Sequence, residues 1–211
     1  MSAQSLLNVF VSAVLPPVAI AGLGYALGRW REIDVESLST VTIYLLLPAL
    51  VFHSLVTMPI GGDTALSLVA TMAGFAIVLT LITVAVGQLA GETGSVLSGA
   101  ALAGAFPNVG NFGIPVATFA FGDIGQTTAV LFVLVQTVLL YSGGVYFLSK
   151  SNSSSDRSTA IVRVLKLPVT YAVIGAGVVL ASGTVLPASG SFMRTIKLVG
   201  DASIPLFLVI L

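Results

Sequence analysis

The spacing of charge is what most restricts this chain. No charged residue lies between Glu36 and Asp63, between Asp63 and Glu92, between Glu92 and Asp123, or between Asp123 and Lys150. Each gap is apolar and exceeds the roughly 20 residues that an α-helix needs to cross about 30 Å of hydrocarbon. Over the whole chain 56% of residues are hydrophobic and 8% are charged, against about 25% charged in a soluble domain. A soluble protein of this size could not cover its surface with so few charges, so the chain is read as a membrane protein. The formal net charge of zero offers no basic footprint for nucleic acid. The absence of cysteine removes disulfides, thiolate metal sites and a cysteine nucleophile.

The apolar runs predict an all-α integral membrane protein with seven spans, at 6–28, 38–57, 65–90, 95–121, 126–148, 167–186 and 195–211. The first run has no basic start and is longer than the about 7–15 apolar residues of a secretory signal, so it reads as a mature membrane helix. Lysine and arginine near span ends set orientation. Loop one carries Arg29 and Arg31, loop five carries Lys150, Arg157, Arg163 and Lys166, and loop six carries Arg194 and Lys197. The excess on odd loops predicts a multi-pass protein of the cell membrane with its N-terminus outside and segment 149–166 in the cytoplasm. Arg29-Trp30-Arg31 reads as an interfacial anchor.

Two pairs of segments suggest an internal repeat. LPPVAIAGLGYALG (15–28) compares with KLPVTYAVIGAGVV (166–179), and YLLLPALVFHSL (44–55) with ASIPLFLVIL (202–211). Spans six and seven then copy spans one and two, in a repeat unit of five. An odd unit inverts its second copy across the membrane, a pattern of many secondary transporters. The expected organisation is a first five-helix repeat over 1–148, a linker over 149–166, and two helices of an inverted second repeat over 167–211. On this reading the chain is a piece of one of roughly 300 residues, if both repeats have equal length. The simpler alternative is a seven-helix protein with chance Leu-Pro matches.

Every acidic residue is expected in a loop or at a span end, and His53 is the ionisable side chain placed well inside a span. Intramembrane charges usually mark ion paths and proton relays. Their scarcity argues against a carboxylate-driven exchanger in this portion. It also argues against an intramembrane aspartyl protease or zinc enzyme, which needs paired carboxylates or clustered ligands. No catalytic residue, metal site or cofactor is expected. His53 reads either as a neutral imidazole bonded to a neighbouring helix carbonyl or as a proton sensor. Gln136 and Tyr141 read as interhelical hydrogen bonding, and Gly143–Gly144, Gly175 and Gly177 as points of close helix packing.

Against this apolar background AFPNVGNFGIP (105–115) stands out, with two prolines, two glycines and two asparagines in eleven residues. Pro107 and Pro115 lack an N–H and their rings clash with the preceding turn. Gly110 and Gly113 lower the cost of non-helical backbone. Unpaired backbone is tolerated at membrane depth only inside protein or beside a water-filled cavity. An ordinary proline kink would account for one proline and one glycine. The full set favours a discontinuous helix, with a second half-helix starting over Asn111 to Pro115. Such an end carries partial positive charge and bare N–H groups, so it binds anions without a cationic side chain. Together with the amides of Asn108 and Asn111, it suits a carboxylate substrate.

FPNVGNFGIPVATFAFG, followed by VLFVLVQTVLLY, resembles the fourth and fifth helices of the auxin efflux carrier family, which includes plant PIN-type carriers and prokaryotic relatives. LLLPALVFHSL resembles its second helix and PPVAIAGLGYALGRWREI its first. The resemblance implies a ten-helix fold of two inverted five-helix repeats, of which this chain holds the first and part of the second. Helices one, two, six and seven would form a scaffold, helices three to five a transport unit moving in elevator fashion, and helix four would cross a partner at its break. It places Asn108 and Pro115 on the crossover motif, Gln136 and Tyr141 on span-five positions lining the site, and Val51 and His53 on the scaffold side. It also allows a homodimer through the scaffold, a small organic anion as substrate and the bilayer as surroundings. Unlike plant members, the third span carries no charge. The alternative is a cation-coupled carrier of the related bile-acid or sodium–proton exchanger architecture, which would want carboxylates near the break.

Overall fold

The computed structural model describes residues 10–58, 61–140 and 165–211. Among the described residues the regular structure is helical, with no strand. Four helical runs are long and apolar enough to cross a membrane: α1 (Phe10–Trp30), α2 (Val35–Val56), α3 (Gly62–Leu89) and the run Gly94–Leu139. That last run contains α4 (Gly94–Ala105), a wide turn over Val109–Gly113 and α5 (Ile114–Leu139). The chain continues in α6 (Pro168–Ala181), α7 (Ser191–Asp201) and α8 (Ser203–Val209).

Local chemistry explains the helix starts and their irregularities. α2 begins after Asp34, whose carboxylate accepts from the Ser37 N–H at 3.1 Å and from the Ser37 hydroxyl. This N-cap satisfies a donor that the first turn leaves bare. Three wide, π-type turns follow one rule: Phe10–Val14, Thr42–Leu46 and Val109–Gly113 each end two residues before a proline, at Pro16, Pro48 and Pro115. A helical proline removes the donor for the carbonyl four residues back, and its ring presses on that carbonyl. A wider register hands carbonyls to donors one residue further on. In α2 the Leu47 N–H accordingly donates to the Thr42 carbonyl.

Several boundaries differ from the sequence expectation. The discontinuity expected within span 95–121 is present: α4 stops at Ala105 and the backbone is non-helical at Pro107 and Asn108. The run Gly94–Leu139 holds 46 residues, about 69 Å if straight, and is interrupted again at Gly122 (φ 62°, ψ −143°). Only glycine adopts such backbone without strain, and this interruption falls between the expected spans four and five. α6 has 14 residues, shorter than the expected span 167–186. The expected span 195–211 is two short helices, and Arg194 and Lys197 lie inside α7 rather than in a loop. Pro205 removes the donor for the Asp201 carbonyl, which parts α7 from α8. The Ser203 hydroxyl donates to the Gly200 carbonyl at 2.6 Å across that parting. Span five is described only to residue 140, and Lys150, Arg157 and Arg163 lie outside the described residues.

The described helices fall into two compact units. One gathers α1, α2, segment Val109–Val130 and α6 to α8. Leu50, Val51, Ile114, Val130, Ala176, Met193 and Leu208 are buried in it. α2 packs on α6 and α7, and α1 on α8. Two glycines allow these approaches. A Cβ at Gly200 would lie 2.8 Å from the Leu50 Cα, and one at Gly24 would lie 2.7 Å from the Val209 Cα. Gly175 makes an ordinary approach to the Phe52 ring, Gly177 faces open space, and Gly143–Gly144 lie outside the described residues. The Phe52 ring meets Phe192 edge-on, with centroids 6.4 Å apart.

The second unit gathers α3, α4, Pro107, Asn108 and α5 from Leu131 onward. α3 packs on α4, with Gly104 against the Thr83 side chain. α3 has 28 residues, about 42 Å, and Ala76 is its one buried residue. One of the places where the chain passes from one unit to the other is between Asn108 and Val109, inside the break.

Candidate functional site

The break is built from the end of α4 forward. Phe106 still donates its N–H to the Leu102 carbonyl at 3.0 Å, but its own backbone has left the helix (φ −120°, ψ 76°). Proline disfavours helical backbone in the residue before it, so Pro107 sets this end. Pro107 and Asn108 are exposed and non-helical. The Gln136 side-chain amide donates to the Pro107 carbonyl at 2.8 Å. This bond joins α5 to the break within the second unit.

Helical backbone resumes at Val109, earlier than the expected start over Asn111 to Pro115. Asn111 lies inside the wide turn, half-buried with Gly110 and Gly113, and Asn108 is the residue that precedes the turn. The early start follows from Pro115, whose missing N–H the wide register accommodates. Ile114 and Pro115 are fully buried, and the Thr118 hydroxyl donates to the Ile114 carbonyl at 2.8 Å. The wide turn packs on α8 within the first unit. From Gly94 to Gly122 the sequence carries no charge, so local polarity comes from amides, hydroxyls and helix ends. The N-terminal end of a helix concentrates partial positive charge and bare donors.

Within the second unit the structure brings Gln136 onto Pro107, next to Asn108. Within the first unit Val51 is fully buried, and His53 is half-buried one turn from the end of α2. The His53 carbonyl accepts from the Thr57 N–H and hydroxyl, at 2.9 Å and 2.7 Å. The imidazole lies within reach of the charges of Lys197, Asp201 and Asp123, and Lys197 pairs with Asp201 at 2.9 Å. Sequence proximity to His53 gave no sign of these carboxylates. Tyr141 lies outside the described residues.

A cavity of about 560 Å³ opens along the polar face of α7, lined by Ser191, Arg194, Thr195, Lys197, Leu198 and Asp201. It contains none of the residues expected at the break. Among the described residues no group of three or more histidine or acidic side chains is placed to hold a metal ion.

Over residues 9–161 the chain is similar to a protein family described as membrane transport protein. That stretch contains the break, Gln136, expected spans two to five and all of expected span one from residue 9 on. No match is found among curated proteins or among solved structures.

Proposed function

The chain belongs to the membrane transport protein family, whose auxin efflux carriers its first spans resemble, and on that premise we propose that it is a secondary carrier of a small organic carboxylate anion. The observation that carries this reading is the break itself. An apolar, uncharged run is interrupted at Pro107 and Asn108 and restarts in a wide turn. Irregular backbone at membrane depth is tolerated only inside protein or beside a water-filled cavity.

In the proposed mechanism the amides of Asn108 and Asn111, with N–H groups of the turn, hold the carboxylate. Charge-assisted bonds of this kind are shorter and stronger than neutral ones, and the helix end adds its partial charge. Pro107, Gly110, Gly113 and Pro115 keep the gap open. Gln136 and Tyr141 stand on the span-five side, with Val51 and His53 on the scaffold side. Helices three to five would carry the site past the scaffold in an elevator-type movement, with the scaffold forming a homodimer. The N-terminus would face outside and segment 149–166 the cytoplasm.

The test uses the full-length protein in liposomes. Small carboxylates should be taken up, and their neutral amides should not compete. Equal competition by the amide, or the absence of carboxylate flux, would overturn the reading.

A further inference from the structure

The hydrogen bond between Gln136 and Pro107 ties α5 to the break and uses the side-chain donor on a main-chain oxygen. Pro107 stands outside the helices, and its carbonyl accepts from the Gln136 side chain. A carbonyl left unpaired in a low-dielectric setting is costly. Gln136 supplies the donor from α5, whose neighbouring Thr137 hydroxyl is spent on the Val133 carbonyl.

The geometry has a second effect. The peptide joining Pro107 to Asn108 is planar and trans, since no cis bond occurs among the described residues. In a trans peptide the C=O and the following N–H point in opposite directions. Pinning the Pro107 oxygen to Gln136 therefore fixes that plane and turns the Asn108 N–H away from α5. The residue whose amide is proposed to hold the carboxylate thus has its backbone orientation set from α5.

We infer that Gln136 is a positioning residue, a latch that holds the break in its observed geometry through the Pro107 carbonyl. The inference deepens the carrier reading but stands on the bond itself. Gln136→Leu keeps bulk and removes the donor. Gln136→Glu donates only when protonated, and when ionised it sets a negative charge against the carbonyl.

The test is amide hydrogen exchange over residues 105–113 in the full-length, substrate-free protein, corrected for the intrinsic effect of pH. Loss of one such hydrogen bond corresponds to about a tenfold change, so Gln136→Leu should exchange about tenfold faster there. Gln136→Glu should match Gln136→Leu at high pH and return to wild-type protection as its carboxyl protonates. The pH step should be missing in the wild type and in Gln136→Leu. This step distinguishes a latch from general destabilisation, and it serves even if Gln136→Leu fails to fold. Wild-type exchange in both variants, with only the half-saturating substrate concentration altered, would make Gln136 a substrate ligand and overturn the latch. Faster exchange with the pH step, in a protein that moves no carboxylate, would support the latch and overturn only the carrier reading.

Discussion

Asp34 and Asn108 show how far single side chains can be read in advance. Both precede helical backbone, and both carry short polar groups suited to the start of a helix. The sequence reading singled out the break but placed the restart at Asn111, because Pro115 is favoured in a first helical turn. A proline can also sit behind a widened turn, and that moved the start back to Val109. Asp34 was read only as a loop charge. Its bonds from the Ser37 hydroxyl, and then from the Ser37 N–H, hold its carboxyl below the usual carboxylate range. A carboxyl whose folded pKa is depressed stabilises the fold above its unfolded pKa, about 3.9, and loses that contribution as pH falls through the folded value. Exchange protection at the start of α2 should therefore be flat at neutral pH and fall in acid below the unfolded pKa. Asp34→Ala should show the low protection at neutral pH already, and an unchanged pH profile in that variant would contradict the cap.

At the scale of the element, prolines explain most of what the sequence did not disclose. Their positions were visible, yet hydrophobic periodicity does not report a one-residue widening of a turn, so the turns before Pro16, Pro48 and Pro115 were not foreseen. The parting of α7 from α8 was missed because Arg194 and Lys197 looked like a loop. They lie inside an amphipathic helix, α7, of which Met193 and Gly200 are buried. Pro48→Ala tests the proline rule. It should let the Thr42–Leu46 turn contract, which rotates Leu50 and Val51 by about 100° relative to the start of α2. Both residues are fully buried, so the rotation should lower stability by about 1–3 kcal/mol, measurable by denaturant unfolding in detergent. Unchanged stability would separate the wide turn from the proline.

For the whole molecule, membrane class and helical content were legible from charge spacing alone, because hydrocarbon admits little else. Packing was not legible. The glycines chosen from sequence were Gly143–Gly144, which lie outside the described residues, and Gly175 and Gly177, whereas tight approaches to neighbouring backbone occur at Gly24 and Gly200. A glycine carries no mark of which backbone it will meet. Gly200→Ala should cost about 1–3 kcal/mol by forcing α7 off α2, while Gly177→Ala, facing open space, should be neutral or slightly stabilising through helix propensity. Comparable losses from both would remove the assigned helix crossing. The central claim is that the gap at 106–108 and the turn after it bind the transported anion. Its most direct test is the concentration dependence of carboxylate uptake by liposomes holding the full-length protein, wild type against Asn108→Ala. Removing one hydrogen bond to a charged group should raise the half-saturating concentration about 10- to 100-fold. An Asn108→Ala protein with unchanged flux and affinity would contradict the site.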